Sequence, residues 1–207
     1  TVLPALLSHR IVPDAVVVLE AQFYNALDFV SGIPPHCRYI LDTRSYPGVS
    51  HLLPKKSTYW IHTRFRALTL LERLYGSLPQ FSPAGSVGPT AVQVAEQLFG
   101  GPCLCGGLDF AYTTGKSHAA GSTPQLQEHL RRNRLSCPLW YRQAAARAPQ
   151  TATARDGNPV FTDLVLRRYQ ESLQAFMRKR TAYTIGGPGL QIGANVLQPE
   201  DFLRLIE

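Results

Sequence analysis

The chain has 207 residues, 21 Lys and Arg against 14 Asp and Glu, and a formal net charge of +7. A chain of this length buries on the order of 70% of the surface its unfolded form exposes, so it folds without a disulfide framework, and its four Cys do not make one. No apolar run reaches the roughly 18 residues of a membrane-spanning helix, and 16 Gly with 16 Pro indicate a loop-rich globular protein rather than collagen or a disordered linker.

In chain order, Asp14 to Gly32 carries Val16, Leu19, Phe23, Leu27 and Val30 at steps of three or four. Pro13 and Asp14 suit a helix start, and Gly32 with Pro34 and Pro35 suit a stop. The spacing favours a helix, with a buried strand at Val16 to Leu19 as the alternative. Arg38 to Thr43 reads as a short strand, closed by a turn at Tyr46-Pro47-Gly48.

The strongest helical pattern starts at Ser57 or Thr58 and runs to Tyr75. Ile61, Phe65, Leu68, Leu71 and Tyr75 share an apolar stripe, and His62, Arg66, Thr69 and Arg73 a polar and basic one. Leu78 to Gly88 reads as a loop, Thr90 to Phe99 as a short amphipathic helix, and 100–122 as irregular. Ser122-Thr123-Pro124 opens a further helix that turns basic at Arg131, Arg132 and Arg134. Residues 143–157 lack apolar periodicity and read as an extended segment. Thr162 or Asp163 caps a last long helix reaching about Thr181, with Val165, Tyr169, Leu173, Phe176 and Met177 as its core stripe. Ala182 to Ile185 reads as a strand leading into a Gly-rich turn, and a final short helix follows Pro199.

These elements predict an α+β, mostly helical fold: one compact domain with irregular Pro/Gly-rich loops and basic extended segments. The expected divisions are a main globular body over 1–142, a basic extended segment over 143–157, and a long helix plus tail over 158–207 that packs on the same body.

Four nucleotide, hydrolase and metal patterns are approached or missing in the chain. Gly115-Lys116-Ser117 lacks the opening glycine of a phosphate-binding loop, since Phe110 stands there. Gly187, Gly189 and Gly193 approximate a dinucleotide fingerprint with one residue too many and no long helix behind it. No Gly-x-Ser-x-Gly elbow is present. Cys103, Cys105, His118 and Cys137 offer three sulfurs and one nitrogen to zinc, but Cys-x-Cys is not the usual knuckle, and small buried thiols are the simpler reading. No cofactor is expected, and the chain is expected to be non-catalytic.

Charge is the remaining signal. Of the 21 cations 17 are Arg; a GC-rich coding sequence explains that ratio as well as selection does, but it does not explain where the cations sit. Residues 52–80 are net +4, 123–155 net +5 and 156–182 net +2, whereas the remaining segments are neutral to acidic. Lys55, Lys56, Arg64, Arg66 and Arg73 interleave with Tyr59, Trp60 and hydroxyl residues; Arg131, Arg132, Arg134 and Arg142 do so around Trp140 and Tyr141. Arg167, Arg168, Arg178, Lys179 and Arg180 form a second tier, partly offset by Glu171. Cations meet phosphates and flat rings stack on unpaired bases. This style is similar to that of structural proteins of large ribonucleoproteins, with no family motif behind it. The expectation is a subunit that binds folded RNA, ribosomal RNA above all, beside neighbouring proteins. A mitochondrial ribosome in the matrix is the expected setting, since the cysteine usage fits a reducing compartment and the chain begins at Thr1. The rivals are a scaffold subunit of a protein-only assembly, such as a respiratory complex or viral particle, and an RNA-modifying enzyme.

Overall fold

The computed structural model describes residues 2–64, 72–74, 76–112, 118–131, 133–135, 146–198 and 200–201, with the side chains of Glu128 and Arg131 excepted. The chain divides into two compact units, residues 1–83 with 118–134 and residues 84–117 with 135–207.

The first unit is built on a parallel sheet of four strands in sequential order: β1 (Ala15–Val18), β2 (Arg38–Asp42), β3 (Thr58–Thr63) and β4 (Gln80–Phe81). Short helices α1 (Leu3–Ser8), α2 (Tyr24–Leu27) and α3 (Pro47–Leu52) precede and connect the strands. In β2, Tyr39, Ile40, Leu41 and Asp42 are all buried, the unbroken pattern of a parallel strand covered on both faces. Tyr39 and Leu41 pack with Leu3, Val18, Phe29, Val49 and Leu53 into one core.

The expectation of a mostly helical fold is therefore corrected: the protein is mixed α/β with parallel sheets. Three successive valines at 16–18 lose side-chain freedom in a helix and fit a pleated surface, so the segment pairs with β2 in the register Val16↔Tyr39. The helix expected from Ser57 or Thr58 is instead β3 as far as Thr63, paired Leu41↔Trp60. Its run of Thr, Tyr, Trp and Ile favours strand, and the apolar spacing that suggested helix depended mostly on residues 65–71 and 75, which lie outside the described residues.

The second unit holds a three-stranded parallel sheet in the order β5 (Cys103–Cys105), β8 (Ala182–Ile185), β9 (Asn195–Leu197), and an antiparallel hairpin of β6 (Gln150–Thr153) and β7 (Pro159–Thr162). Helix α4 (Val87–Phe99) precedes β5 and ends on Gly100, whose positive φ of 61° glycine adopts freely. Helix α6 (Leu164–Met177) is capped by Asp163, which accepts from the Val165 and Leu166 amides at 2.9 Å. Leu173, Met177 and Ile192, each at most 1% exposed, centre its core with Val160, Ala182 and Phe110. Each contributes about 1.5–3 kcal/mol by burial. Helix α5 (Thr123–Arg131) belongs to the first unit.

Part of the segment expected to be extended, 143–157, forms β6 and the turn into β7. There the Ala154 amide donates to the Asn158 carbonyl at 2.8 Å, and residues 143–145 lie outside the described residues. The segment expected to be irregular, 100–122, contains β5. No helix among the described residues is long and apolar enough to cross a membrane.

Candidate functional site

In open parallel sheets, ligands bind beyond the carboxyl ends of the strands. In the second unit, three loops come together at that edge. After β5 runs Gly106-Gly107-Leu108-Asp109; after β8 runs Gly186-Gly187-Pro188-Gly189; and Arg155 sits in the turn between β6 and β7.

Arg155 organises this edge. Its side chain is 2% exposed, whereas that of Asp109 is 43% exposed. One terminal nitrogen donates to Asp109 Oδ1 and the other to Thr184 Oγ1 at 2.6 Å. The Thr184 hydroxyl in turn donates to the Cys105 carbonyl at 3.1 Å, so the guanidinium ties β6–β7 to the ends of both β5 and β8. The Arg155 amide donates to the Gly189 carbonyl at 2.7 Å, and the Leu190 amide to the Asp109 carbonyl at 2.8 Å. A Cβ on Gly189 would collide with the Arg155 guanidinium and the Asp109 carboxylate, so a side chain at 189 would have to displace them. Arg155 Nε is buried and has no hydrogen-bond partner among the described residues.

The amino terminus of α4 adjoins the same edge. A Cβ on Gly88, in its first turn, would collide with the Leu108 side chain, next to Asp109. Ser86 makes no side-chain capping bond and the first turn holds no acidic residue, which leaves positive helix-end potential uncompensated by side chains. Of the first three residues only Val87 and Gly88 carry an amide hydrogen, since the third is Pro89; an anion there would meet the partial positive charge of the helix end, with a buried guanidinium in the same loop cluster.

In the first unit the ends of β2 and β3 are tied together by Asp42. Asp42, fully buried, accepts from the Arg44 amide at 2.8 Å and Arg44 Nε at 3.1 Å on Oδ1. On Oδ2 it accepts from the Thr63 amide at 2.8 Å and the Thr63 hydroxyl at 2.5 Å. Four donors satisfy this carboxylate, which locks the ends of β2 and β3 together. On the other face, His62 Nδ1 and Thr43 Oγ1 are buried with no hydrogen-bond partner among the described residues.

The cations expected to bind RNA are spread over both units. In the first, Lys55 and Lys56 lie exposed on a 3-10 turn before β3, Arg64 is exposed just after β3, and Arg73 and Arg134 are also exposed. In the second, Arg167 and Arg168 are exposed on α6 and Arg178 and Lys179 at its end, without an ion pair among the described residues. Arg180 is engaged internally: it bonds Glu96 at 2.9 Å and the Phe176 carbonyl at 2.7 Å, and stacks 3.7 Å from the Phe176 ring centre. Arg66, Arg132 and Arg142 lie outside the described residues, as does the side chain of Arg131. Of the four residues considered for zinc, Cys103 and Cys105 adjoin in β5, His118 belongs to the first unit and Cys137 lies outside the described residues. Among the described residues no group of three or more His, Cys, Asp or Glu is placed to hold a metal.

Sequence reading did not single out Asp109, Arg155 or Thr184. The available signal was the pair of Gly-Gly turns at 106 and 186, each following a short strand.

Comparison with known proteins is sparse. No family model matches the chain, and no solved structure does. Two relatives from Treponema pallidum (strain Nichols), both described as uncharacterized proteins, do match. One is 34% identical over 119 residues, covering 55% of this chain and 21% of the relative; the other is 26% identical over 142 residues, covering 62% and 36%. The chain thus spans about a fifth and about a third of the length of these relatives. Both come from a bacterium, which has no mitochondria; the expectation of a mitochondrial matrix setting is overturned.

Proposed function

We propose that the second unit binds a small anionic ligand, phosphate-bearing in class, at the carboxyl ends of β5 and β8. The observation that carries this reading is Arg155: a guanidinium whose side chain is 2% exposed, with Nε unpartnered, set among two Gly-Gly turns. Burying a cation is costly unless its partners are well arranged; Nε is closed to solvent, so a ligand oxygen completes its set only when the loop residues covering it move aside. The uncapped start of α4 adds amides that favour negative charge.

Calorimetric titration with inorganic phosphate, pyrophosphate and nucleoside diphosphates tests it. At least one of these anions binds the wild type, and R155K, which keeps the charge but loses the planar fork, weakens binding at least tenfold while the far-ultraviolet spectrum is retained. Equal affinity in both proteins would defeat the assignment.

A second reading takes the exposed cations as a polyanion surface. Arg167 and Arg168 near the start of α6 and Arg178 and Lys179 just past its end, all exposed with no ion pair among the described residues, support RNA binding as part of a larger assembly. Retention on immobilised single-stranded RNA tests it. Retention instead on acidic protein, unchanged by nuclease, would favour a protein-only assembly.

A further inference from the structure

The β6–β7 hairpin shows which backbone groups of β6 face outward. The Ala154 amide donates to the Asn158 carbonyl at 2.8 Å, and bonded pairs recur at every second residue of an antiparallel ladder. Ala152↔Val160 and Gln150↔Thr162 are therefore the next bonded pairs, and the amides and carbonyls of Thr151 and Thr153 point away from β7. Two further features agree. Pro159, which has no N–H to give, stands opposite Thr153. Phe161, opposite Thr151, turns its own amide and carbonyl away from β6 to Tyr112, at 3.1 and 2.8 Å.

The outer row of β6 is already paired at its far end, where the Arg155 amide donates to the Gly189 carbonyl at 2.7 Å. At Thr151 and Thr153 it makes no backbone bond among the described residues, and both residues are exposed. They line a cleft of about 460 Å³ together with Arg167, Gln170, Glu171 and Gln174 of α6. The α6 wall is held in place: Gln170 Nε2 donates to Gln174 Oε1 at 3.4 Å and to the Gln191 carbonyl. Both amide hydrogens of Gln170 are thereby used, which leaves its oxygen as an acceptor and the Gln174 nitrogen as a donor. Each residue of a peptide offers one N–H and one C=O, the complement of both walls. Arg167 and Glu171 have no ion pair among the described residues. One helical turn sets them about 5–6 Å apart, close to the roughly 6.6 Å between alternate residues of an extended strand.

We propose that this cleft takes an extended peptide as a third strand on β6, with an acidic residue facing Arg167 and a basic one two positions away facing Glu171. The main-chain groups of Thr151 and Thr153 hold the peptide, and the two charged side chains select it. The anion site is not required, since Arg155 lends this row only its main-chain amide.

Fluorescence anisotropy of the whole folded chain with fluorescein-labelled Thr-Val-Glu-Val-Lys-Val-Thr-amide tests the proposal. The wild type binds this peptide saturably. Methylating alternate backbone nitrogens of the peptide blocks one of its edges at a time, and one of the two methylated forms binds at least tenfold more weakly. T151P removes an outward N–H without touching the β6–β7 ladder and weakens the parent peptide by a similar factor. E171K weakens it severalfold and is rescued by the peptide with Glu in place of Lys. A wild type that ignores the peptide, or binds the parent and both methylated forms equally, would overturn the added strand. So would a folded T151P as effective as wild type, or a wild-type dimer by sedimentation that excludes the peptide. Should T151P fail to fold, the methylated peptides on the wild type decide by themselves. An E171K that the altered peptide does not rescue would overturn the charge pairing.

Discussion

Gly189 shows how one missing side chain can hold a site together. Its place is occupied on one side by the Arg155 guanidinium and the Asp109 carboxylate, so any Cβ must displace a buried guanidinium or its exposed partner. G189A is expected to cost about 1–3 kcal/mol, the range of overpacking in a close-fitting interior, and to weaken anion binding along with stability; thermal unfolding and titration of the same sample check both. At Cys103, two residues from Cys105 on β5, the sign of the pH effect follows from its neighbour. Cys103, drawn down to about 7 by the Cys105 S–H, becomes thiolate as pH rises through 7 rather than 9. In C37S/C137S the iodoacetamide rate should therefore have its midpoint near 7, and adding C105A should move that midpoint upward by removing the donor. Little of this was legible in the sequence. The Cys-x-Cys spacing was visible and its zinc reading was weighed, but a thiol's donor is a fact of strand geometry. Asp109 and Arg155, 46 residues apart in the chain, had no local pattern to mark them.

At the level of elements, the sequence was most readable where chain punctuation is strong. Ser122-Thr123-Pro124 does open a helix, Asp163 does cap one, and Arg38 to Asp42 is a strand. The cap is also a measurable contribution. Asp163 accepts two first-turn amides of α6 and lies 2.7 Å from Arg147 Nε. D163A should lower stability by about 1–2 kcal/mol through the lost cap, with a further loss from the unpaired Arg147, read as a reduced urea midpoint at unchanged slope. The misreadings have two causes. A buried parallel strand shows a short apolar run with no alternation, and period counting does not tell it from one turn of a buried helix; Val16 to Val18 is such a run. Thr58 to Thr63 is half polar, with Tyr59 and Trp60 exposed, and its β-branched and aromatic content was outweighed by apolar residues further along the chain.

For the molecule as a whole, the distribution of charge separates the two binding readings. If four phosphates meet Arg167, Arg168, Arg178 and Lys179, log affinity for single-stranded RNA should fall with log salt at a slope of about −3. R167E/R168E should flatten that slope while leaving anion affinity at Arg155 within twofold. A salt-independent interaction, or one indifferent to these reversals, would remove the polyanion surface and leave the small-anion site standing. The amino-acid sequence by itself determined the positive balance, the chain stretches in which cations concentrate, and the helix ends marked by Pro, Gly and capping side chains, because these depend on composition and on neighbours within about four residues. Only the tertiary structure decided that the main sheets are parallel, that Asp42 is a satisfied lock whereas Arg155 keeps a buried nitrogen unpartnered among the described residues, and that a side chain at 189 would press on Arg155 and Asp109. Each of those is set by atoms brought together from distant parts of the chain, where burial and the supply of hydrogen-bond partners, rather than residue type, fix what a group can do.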